Sequence, residues 1–185
     1  GNRHCPQCGA LKKEQWISDR MSELLPVKYY HVVFTLPHEL NSLCLGNRKQ
    51  FFDLLFETSA AVLQTFSRDE KYMGATSGIT GILHTWGQQL SFHPHIHCIV
   101  SGGGLDGKGN WKNANKDRHA FLFPVKAMSS VYRGLFMKRL RALISSQKVK
   151  HGMDEQQWNT LKETLYKKDW IVYCKRPFRR TAAGY

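Results

Sequence analysis

The sequence predicts an α+β fold in which helices pack on one or both faces of an antiparallel sheet of four or five strands. Runs of β-branched and aromatic residues, as in segments 28–36 and 95–101, indicate strands. Apolar residues at helical spacing from Asn47 to about Phe66 indicate a long helix that Asn47 caps. With 185 residues and 42% apolar content, the chain can bury one compact core.

Three strands are predicted between residues 28 and 101. Segment 28–36 is the first, ends at Pro37 and is expected to be central in the sheet. Segment 78–87 is a second strand weakened by glycine, and 95–101 is expected to pair with it antiparallel because the connection is short. We expect the glycine-rich segment 102–109 to end that pairing as a turn rather than to cradle a phosphate, since no Walker-type Lys-Ser/Thr follows it.

Two further helices and a short strand complete the predicted fold. Residues 126–150 place apolar side chains at helical spacing and carry seven basic and no acidic residues, which indicates an amphipathic helix with a basic side. Residues 154–167 indicate another helix, and residues 170–174 a short late strand.

The charge of the chain favours a polyanionic partner. Lys and Arg number 27 against 14 acidic residues, for a formal net charge of +13, and nucleic acid is the leading partner for such a field. The alternative for the basic helix is a solvated surface. The candidate DNA contacts are Arg133, Lys138, Arg139, Arg141, Lys175 and Arg176.

Composition also bears on the compartment. No segment reaches the roughly 18 consecutive apolar residues of a membrane span, and no signal peptide opens the chain. The five cysteines are odd in number and form no disulfide-like framework, as expected where thiols stay reduced. We therefore expect a cytoplasmic protein with no membrane partner, and the sequence specifies no oligomeric state.

The histidine run is the main candidate site. His93, His95 and His97 occupy alternate positions, so in a strand they project to one face while the residues between them project to the other. His84 lies on the strand expected to pair with this one and can reach the same face. Three imidazole ligands leave coordination positions open, as in catalytic metal sites. We expect a divalent metal at His84, His95 and His97, with His93 as the reserve ligand.

A second metal site is indicated near the start of the chain. Cys5 and Cys8 form a Cys-x-x-Cys pair, the turn that presents two thiolates to a tetrahedral zinc ion. Two ligands make half a site. His4 is a possible third ligand, but a residue adjacent to Cys5 usually points away from the shared ion, so a zinc half-site is the favoured interpretation.

Five segments together resemble the HUH-type two-tyrosine transposases of rolling-circle insertion sequences, and the similarity spans nearly the whole chain. The segments are NRHCPQC at 2–8, LPVKYYHVVFTLP at 25–37, LHTWG at 83–87, HPHIHCIVSGGG at 93–104 and WIVYCKRPF at 170–178. The resemblance implies an HUH, RRM-like palm fold. It also implies a remnant of a zinc-binding module with a linker helix at 1–24, followed by the catalytic domain at 25–185.

The resemblance also implies the chemistry. His95 and His97 match the HUH pair, and the metal there is expected to be Mn or Mg, with Zn in the cysteine module if that module is complete. The implied activity is cleavage and rejoining of single-stranded DNA at mobile-element ends and target. A tyrosine hydroxyl attacks the phosphodiester, forms a 5′-phosphotyrosine and frees a 3′-hydroxyl.

The sequence departs from this family in its nucleophile. Family members carry paired tyrosines on a helix after a segment like 170–178, and no Tyr-x-x-x-Tyr pair follows Phe178 here. Tyr185 is the candidate nucleophile, whereas Tyr29, Tyr30 and Tyr173 are expected to be packed in strands. Two alternatives stay open: a non-catalytic DNA-binding fragment, and a metal-dependent hydrolytic nuclease that uses an activated water.

Overall fold

The computed structural model describes residues 6–87, 91–114 and 122–177, apart from the side chains of residues 6–8. Its elements, in chain order, are α1 (Pro6–Ser22), β1 (Tyr29–Thr35), a 3-10 turn (His38–Leu40), α2 (Asn41–Gly46), α3 (Arg48–Arg68), β2 (Thr76–Trp86), β3 (Phe92–Leu105), β4 (Trp111–Asn113), α4 (Val125–Ser145), α5 (Glu155–Lys167) and β5 (Val172–Cys174). Helix α1 belongs to one compact unit, and Lys28–Phe178 form the other. No helix in the described part of the chain is long and apolar enough to cross a membrane.

The sheet is antiparallel and has the order β2-β3-β1-β5, with β4 paired to the end of β3. The α+β prediction is therefore confirmed, as are the antiparallel pairing of β2 with β3 and the central position of β1. In the register, Val33 of β1 lies opposite His97 of β3 and, on its other side, opposite Tyr173 of β5. Directly opposed residues share a face, so these three side chains project together.

Helices α3 and α4 cover one face of the sheet. Phe34, Ile96 and Cys98 project to this face and are at most 1% exposed. Tyr132 of α4 meets the Phe34 ring edge-on, with centroids 5.1 Å apart, and Phe136 of α4 contacts Phe51 of α3. The alternate positions project to the opposite face, where four side chains are only partly buried: His31, Val33, His95 and His97.

The glycine-rich segment differs from its prediction. Gly102–Gly104 continue β3, and the turn comes later, where Asp106 accepts backbone hydrogen bonds from Lys108 and Asn110. A Cβ at Gly104 would lie 2.2 Å from the Thr76 carbonyl oxygen. Glycine is required there because the backbones of β2 and β3 approach too closely for any side chain, so its function is strand packing and not turn formation.

Asn47 also differs from its prediction. It occupies the position before α3, but its side chain makes no capping hydrogen bond to that helix. Instead its amide nitrogen donates to the carbonyl oxygens of Leu43 and Lys150, and its oxygen accepts from the Lys150 backbone N–H. A tertiary contact with the segment after α4 therefore takes the place of the local cap.

Candidate metal centre

Three histidines converge on the face of the sheet opposite α3 and α4. His84 of β2 lies directly opposite His95 of β3, and His97 is two residues further along β3. One ring nitrogen from each residue can be chosen so that all three lie within 4.8 Å of one another. A single ion bound to all three would draw these atoms to about 3.3 Å from one another, the separation set by metal–nitrogen distances of about 2 Å at tetrahedral angles. The donor set therefore fits a divalent metal with open coordination positions.

The His95 ring is oriented by its own strand. Its Nδ1 lies 2.7 Å from the backbone carbonyl oxygen of His93. A carbonyl can only accept, so Nδ1 carries the proton and Nε2 keeps its lone pair. This hydrogen bond from Nδ1 fixes both the tautomer and the ring orientation of His95, which is a candidate ligand.

His93 takes part through its backbone rather than as a member of the cluster. Its ring centroid is 5.4 Å from that of His95, yet the converging group contains only His84, His95 and His97. Burial, and then the charge of His95, lower the pKa of His93. The geometry favours His84 over His93 as the third ligand.

His97 is held by a histidine outside the cluster. His31 Nε2 on β1 is 2.7 Å from His97 Nδ1, and the two rings lie nearly in one plane, with centroids 4.9 Å apart and an interplanar angle of 15°. With His97 Nδ1 donating and His31 Nε2 accepting, His97 Nε2 keeps its lone pair for the cluster. His31 thus orients His97 as the His93 carbonyl orients His95.

The protonation state of His97 suits a ligand. Burial is the main cause, with neighbouring histidines and Lys175 adding to it, of a pKa lowered to about 4. The imidazole is therefore neutral at physiological pH, as metal ligation requires. On the other side of β3, burial raises the pKa of Cys98 to about 12, so this thiol stays protonated in the core.

Sequence reasoning did not single out His31, which lies within the predicted strand at 28–36. The alternation of residues in the strand does indicate which face His31 lies on, since His31, Val33 and Thr35 share one face of β1. That signal is not sufficient, because His31 meets His97 only in the register that places Val33 opposite His97. Burial, Lys175 and His84 lower the pKa of His31, which keeps it neutral and able to accept.

The three strand tyrosines differ in burial. Tyr29 is 8% exposed, and burial raises the pKa of Tyr30, so both are packed as predicted. The prediction that Tyr173 is packed is wrong. Its side chain is 52% exposed, because β5 is only three residues long and directs the middle residue to the histidine face of the sheet.

The predicted DNA contacts fall into two groups. Lys175 follows β5 and donates its backbone N–H to the His31 carbonyl oxygen, which puts it near the histidines, and Arg176 is exposed beside it. The other four residues lie on α4, which packs against the opposite face of the sheet. Arg133 donates to the Lys168 carbonyl and Arg139 to Thr58 Oγ1, while Lys138 and Arg141 are more exposed. A DNA-contacting role for all six stays a prediction.

Three predicted site residues cannot be placed. Cys5 and Tyr185 lie outside the described residues, as does the segment 178–185 around the candidate nucleophile. Cys8 falls within α1, but its side chain is not described. The zinc half-site and the nucleophile therefore stay predictions.

The histidine cluster opens into a cavity of about 720 Å³. This is within the roughly 300–1,000 Å³ typical of ligand pockets. Its described lining residues are His84, Trp86, Gly87, Ser91, His93, His95 and His97. No carboxylate is among them, so the described wall of the cavity carries nothing that would repel a phosphate.

An antiparallel sheet with a histidine cluster on the face opposite α3 and α4 defines a candidate metal-dependent nucleic-acid enzyme. Comparison with known families identifies the family to which the chain belongs. The Y2_Tnp family model, described as "Putative transposase", matches residues 78–184, and the Zn_Tnp_IS91 model, described as "Transposase zinc-binding domain", matches residues 1–36. The chain belongs to the Y2_Tnp transposase family, which confirms the resemblance inferred from the sequence. The zinc-binding match and the histidine cluster together indicate metal binding.

Two curated relatives span the chain. It is 38% identical over 183 residues to "Putative transposase y4qJ" of Sinorhizobium fredii, covering 96% of this chain and 46% of that protein. It is 33% identical over 174 residues to the transposase for insertion sequence element IS801 of Pseudomonas savastanoi pv. phaseolicola, covering 94% of this chain and 41% of that protein. The chain spans somewhat less than half the length of these curated relatives.

Solved structures of the conjugative relaxase TrwC also match. A metal-free complex with oriT DNA aligns with a TM-score of 0.48 and 10% identity, covering 83% of this chain and 67% of that one. A complex with a 27-mer DNA containing the recognition hairpin and the cleavage site aligns with a TM-score of 0.47 and 14% identity, covering 72% and 54%.

Proposed function

We propose that this chain is the metal-binding part of a transposase catalytic domain that cleaves and rejoins single-stranded DNA. The observation that carries the proposal is the convergence of His84, His95 and His97 within 4.8 Å, on the face of the sheet opposite α3 and α4, in a member of a transposase family. The proposed partner is single-stranded DNA at mobile-element ends and target. Action on such DNA implies the bacterial cytoplasm, and both curated relatives are bacterial.

The proposed domain organisation follows the two family matches. Residues 1–24 are the end of a zinc-binding module and its linker helix, with Cys5 and Cys8 as zinc ligands. Residues 25–185 are the catalytic domain. The match of the zinc-binding family to residues 1–36 supports a zinc-binding module at the start of the chain but extends past residue 24, and the compact unit that begins at Lys28 supports the proposed boundary.

The histidine cluster is proposed to hold Mn or Mg. Such an ion supplies Lewis-acid polarisation of a phosphate and offsets its developing charge. The residues of this chain prepare the site for that ion. His95 keeps Nε2 unprotonated because its Nδ1 donates to the His93 carbonyl oxygen, and His97 does so in the tautomer whose Nδ1 donates to His31 Nε2. Lys175 adds positive charge beside the cluster, which favours a phosphodiester in the cavity.

The proposed reaction is a transesterification. A tyrosine oxygen attacks phosphorus, the bond from phosphorus to the 3′ oxygen breaks, and the 5′ phosphate stays on the tyrosine. The tyrosine loses one proton and the departing 3′ oxygen gains one, so neither water nor nucleotide triphosphate is consumed. Tyr185 is the proposed nucleophile in this chain. The intermediate keeps a reactive ester, which a second 3′-hydroxyl can attack to rejoin the strand.

A covalent-adduct assay tests this proposal. The chain is incubated with MnCl₂ and a pool of random-sequence single strands labelled at the 3′ end, because the downstream fragment stays on the tyrosine. Denaturing gels should show labelled protein for the wild type and none for His97→Ala or Tyr185→Phe.

The same gel separates the two rivals. A free 5′-phosphorylated product without protein label contradicts transesterification and indicates a metal-dependent hydrolase. The absence of both products on this gel, together with a DNA mobility shift on a native gel, contradicts catalysis and indicates a DNA-binding fragment.

A further inference from the structure

We propose that Trp86 is a stacking platform for a nucleobase of the single strand that enters the metal centre. This inference rests on the proposed function and deepens it, because it names a residue that contacts the substrate beside the reacting phosphate. The class of ligand is an unpaired base, which any single-stranded DNA provides.

The first observation is the position of Trp86. It ends β2 two residues after His84, and it lines the same cavity as the four histidines. The register of β2 against β3 shifts between His84 and Trp86. A strand irregularity of this kind re-aims the side chain that follows it. Here that side chain is a tryptophan at the wall of the candidate metal centre.

The second observation is exposure. Trp86 is 60% exposed, although indole is the largest apolar side chain and other aromatic residues of the sheet core, such as Phe34, are completely buried. Because most of this ring is exposed to solvent, it contributes little to the free energy of folding. An exposed aromatic beside a polar cavity is typical of a ligand-contacting surface.

The third observation is that the ring is held in place. Trp86 lies opposite Phe92 in the register, and the two rings meet edge to face with centroids 6.2 Å apart and an interplanar angle of 83°. The next residue, Gly87, donates its backbone N–H to the Ser91 carbonyl oxygen at 2.9 Å. An edge-to-face contact with one partner leaves at least one indole face uncovered by that partner, so the ring is both positioned and available.

The chemistry of the cavity selects the ligand. Bases stack on aromatic side chains with little sequence preference, and single-strand binding sites combine such rings with positive charge along the backbone. Trp86 supplies the ring and Lys175 supplies charge near the histidines. No carboxylate lines the described wall of the cavity, so a phosphodiester can approach the histidines while its base lies on the indole.

Two probe strands of equal length test stacking separately from charge. One is a labelled (dT)20 strand, and the other is a 20-mer with the same number of phosphates whose sugars are all abasic. Affinities are measured by fluorescence anisotropy for the wild type, Trp86→Phe and Trp86→Leu, each checked for its melting temperature and Mn affinity. Trp111→Ala is the matched control, since Trp111 is also exposed but pairs with Leu105 at the far end of β3.

We expect Trp86→Leu to bind (dT)20 roughly 5- to 150-fold more weakly, the range set by the loss of one base–aromatic stack. Trp86→Phe should retain most of the affinity, because phenylalanine keeps a π-face. Trp111→Ala should bind like the wild type, and all variants should bind the abasic strand equally.

Equal affinity of Trp86→Leu and wild type for (dT)20 would overturn the inference, as would the same loss on both strands. Failure of the wild type to bind either strand would instead overturn the proposed function. The two failures are therefore distinguishable.

Discussion

His97 is the residue on which the candidate centre depends most. It lies on a central strand, belongs to the converging cluster and carries a hydrogen bond to His31 on the neighbouring strand. Both of its ring nitrogens therefore have defined partners once a metal is bound. Outer hydrogen bonds of this kind hold ligand rings in position and raise their basicity.

Replacement of His31 should weaken the metal site without unfolding the protein. We expect His31→Phe to lower Mn affinity by about 10- to 100-fold, because His97 loses its orienting acceptor. His31→Gln should restore part of that affinity, since an amide oxygen can accept from His97 Nδ1. Titration followed by Mn EPR measures both. His38→Gln is the control, because His38 is 75% exposed and does not belong to the converging cluster. Equal affinities of His31→Phe and wild type would contradict the orienting role.

At the scale of elements, β3 joins the site to the core. Its alternate residues provide His95 and His97 on one face and Ile96 and Cys98 on the other. Its final third depends on glycine, because the backbone of β2 lies so close that a Cβ at Gly104 would contact backbone atoms of Thr76 and Ser77. The pairing that places His84 opposite His95 reaches this close approach after a register shift between Ser77 and Ile79.

Gly104→Ala should therefore destabilise the protein. Backbone atoms must move to accept the added methyl group, and overpacking of this kind costs about 1–3 kcal/mol of unfolding free energy. Gly107→Ala in the following turn is the control, since a Cβ there meets nothing within 4 Å. Urea unfolding compares the two variants. Equal midpoints would show that β2 and β3 do not approach as closely as the structure indicates.

Most strands and helices could be predicted from sequence because each depends on local patterning, whereas the short elements α2 and β4 were not predicted. The alternation through His93–Val100 placed the histidines on one face, and the helical spacing in 126–150 predicted α4. Register, by contrast, depends on contacts between distant segments. The His31–His97 hydrogen bond, the exposure of Tyr173 and the bridge from Asn47 to Lys150 all depend on which strand or loop lies alongside, and local sequence does not specify this.

At the scale of the whole molecule, the sheet separates the basic residues into two surfaces. Lys175 and Arg176 follow β5 and lie near His31, while Lys138 and Arg141 lie on α4 against the other face of the sheet. A DNA strand short enough to stay at the cavity can reach only the surface formed by Lys175 and Arg176. A longer strand has the length to contact both.

Strand length should therefore reveal which charges a bound DNA contacts. We expect Lys175→Ala to weaken binding of a (dT)6 strand and to reduce its log–log salt slope by about 0.7, the value for one phosphate contact on single strands. Lys138→Ala should leave (dT)6 binding unchanged and affect only (dT)20. Anisotropy titrations over a range of NaCl concentrations give both slopes. A loss on (dT)6 for Lys138→Ala, with none for Lys175→Ala, would place the strand on the helical face instead.

The central claim is that His84, His95 and His97 form one metal centre. Its most direct test is Mn stoichiometry and affinity at the histidine site in four alanine variants, with Cys5 and Cys8 replaced by serine in all of them to remove zinc binding there. His84→Ala, His95→Ala and His97→Ala should each lose the bound Mn. His93→Ala should keep it, because His93 holds His95 through a backbone carbonyl that the substitution preserves. Loss of Mn in His93→Ala together with its retention in His84→Ala would contradict the account.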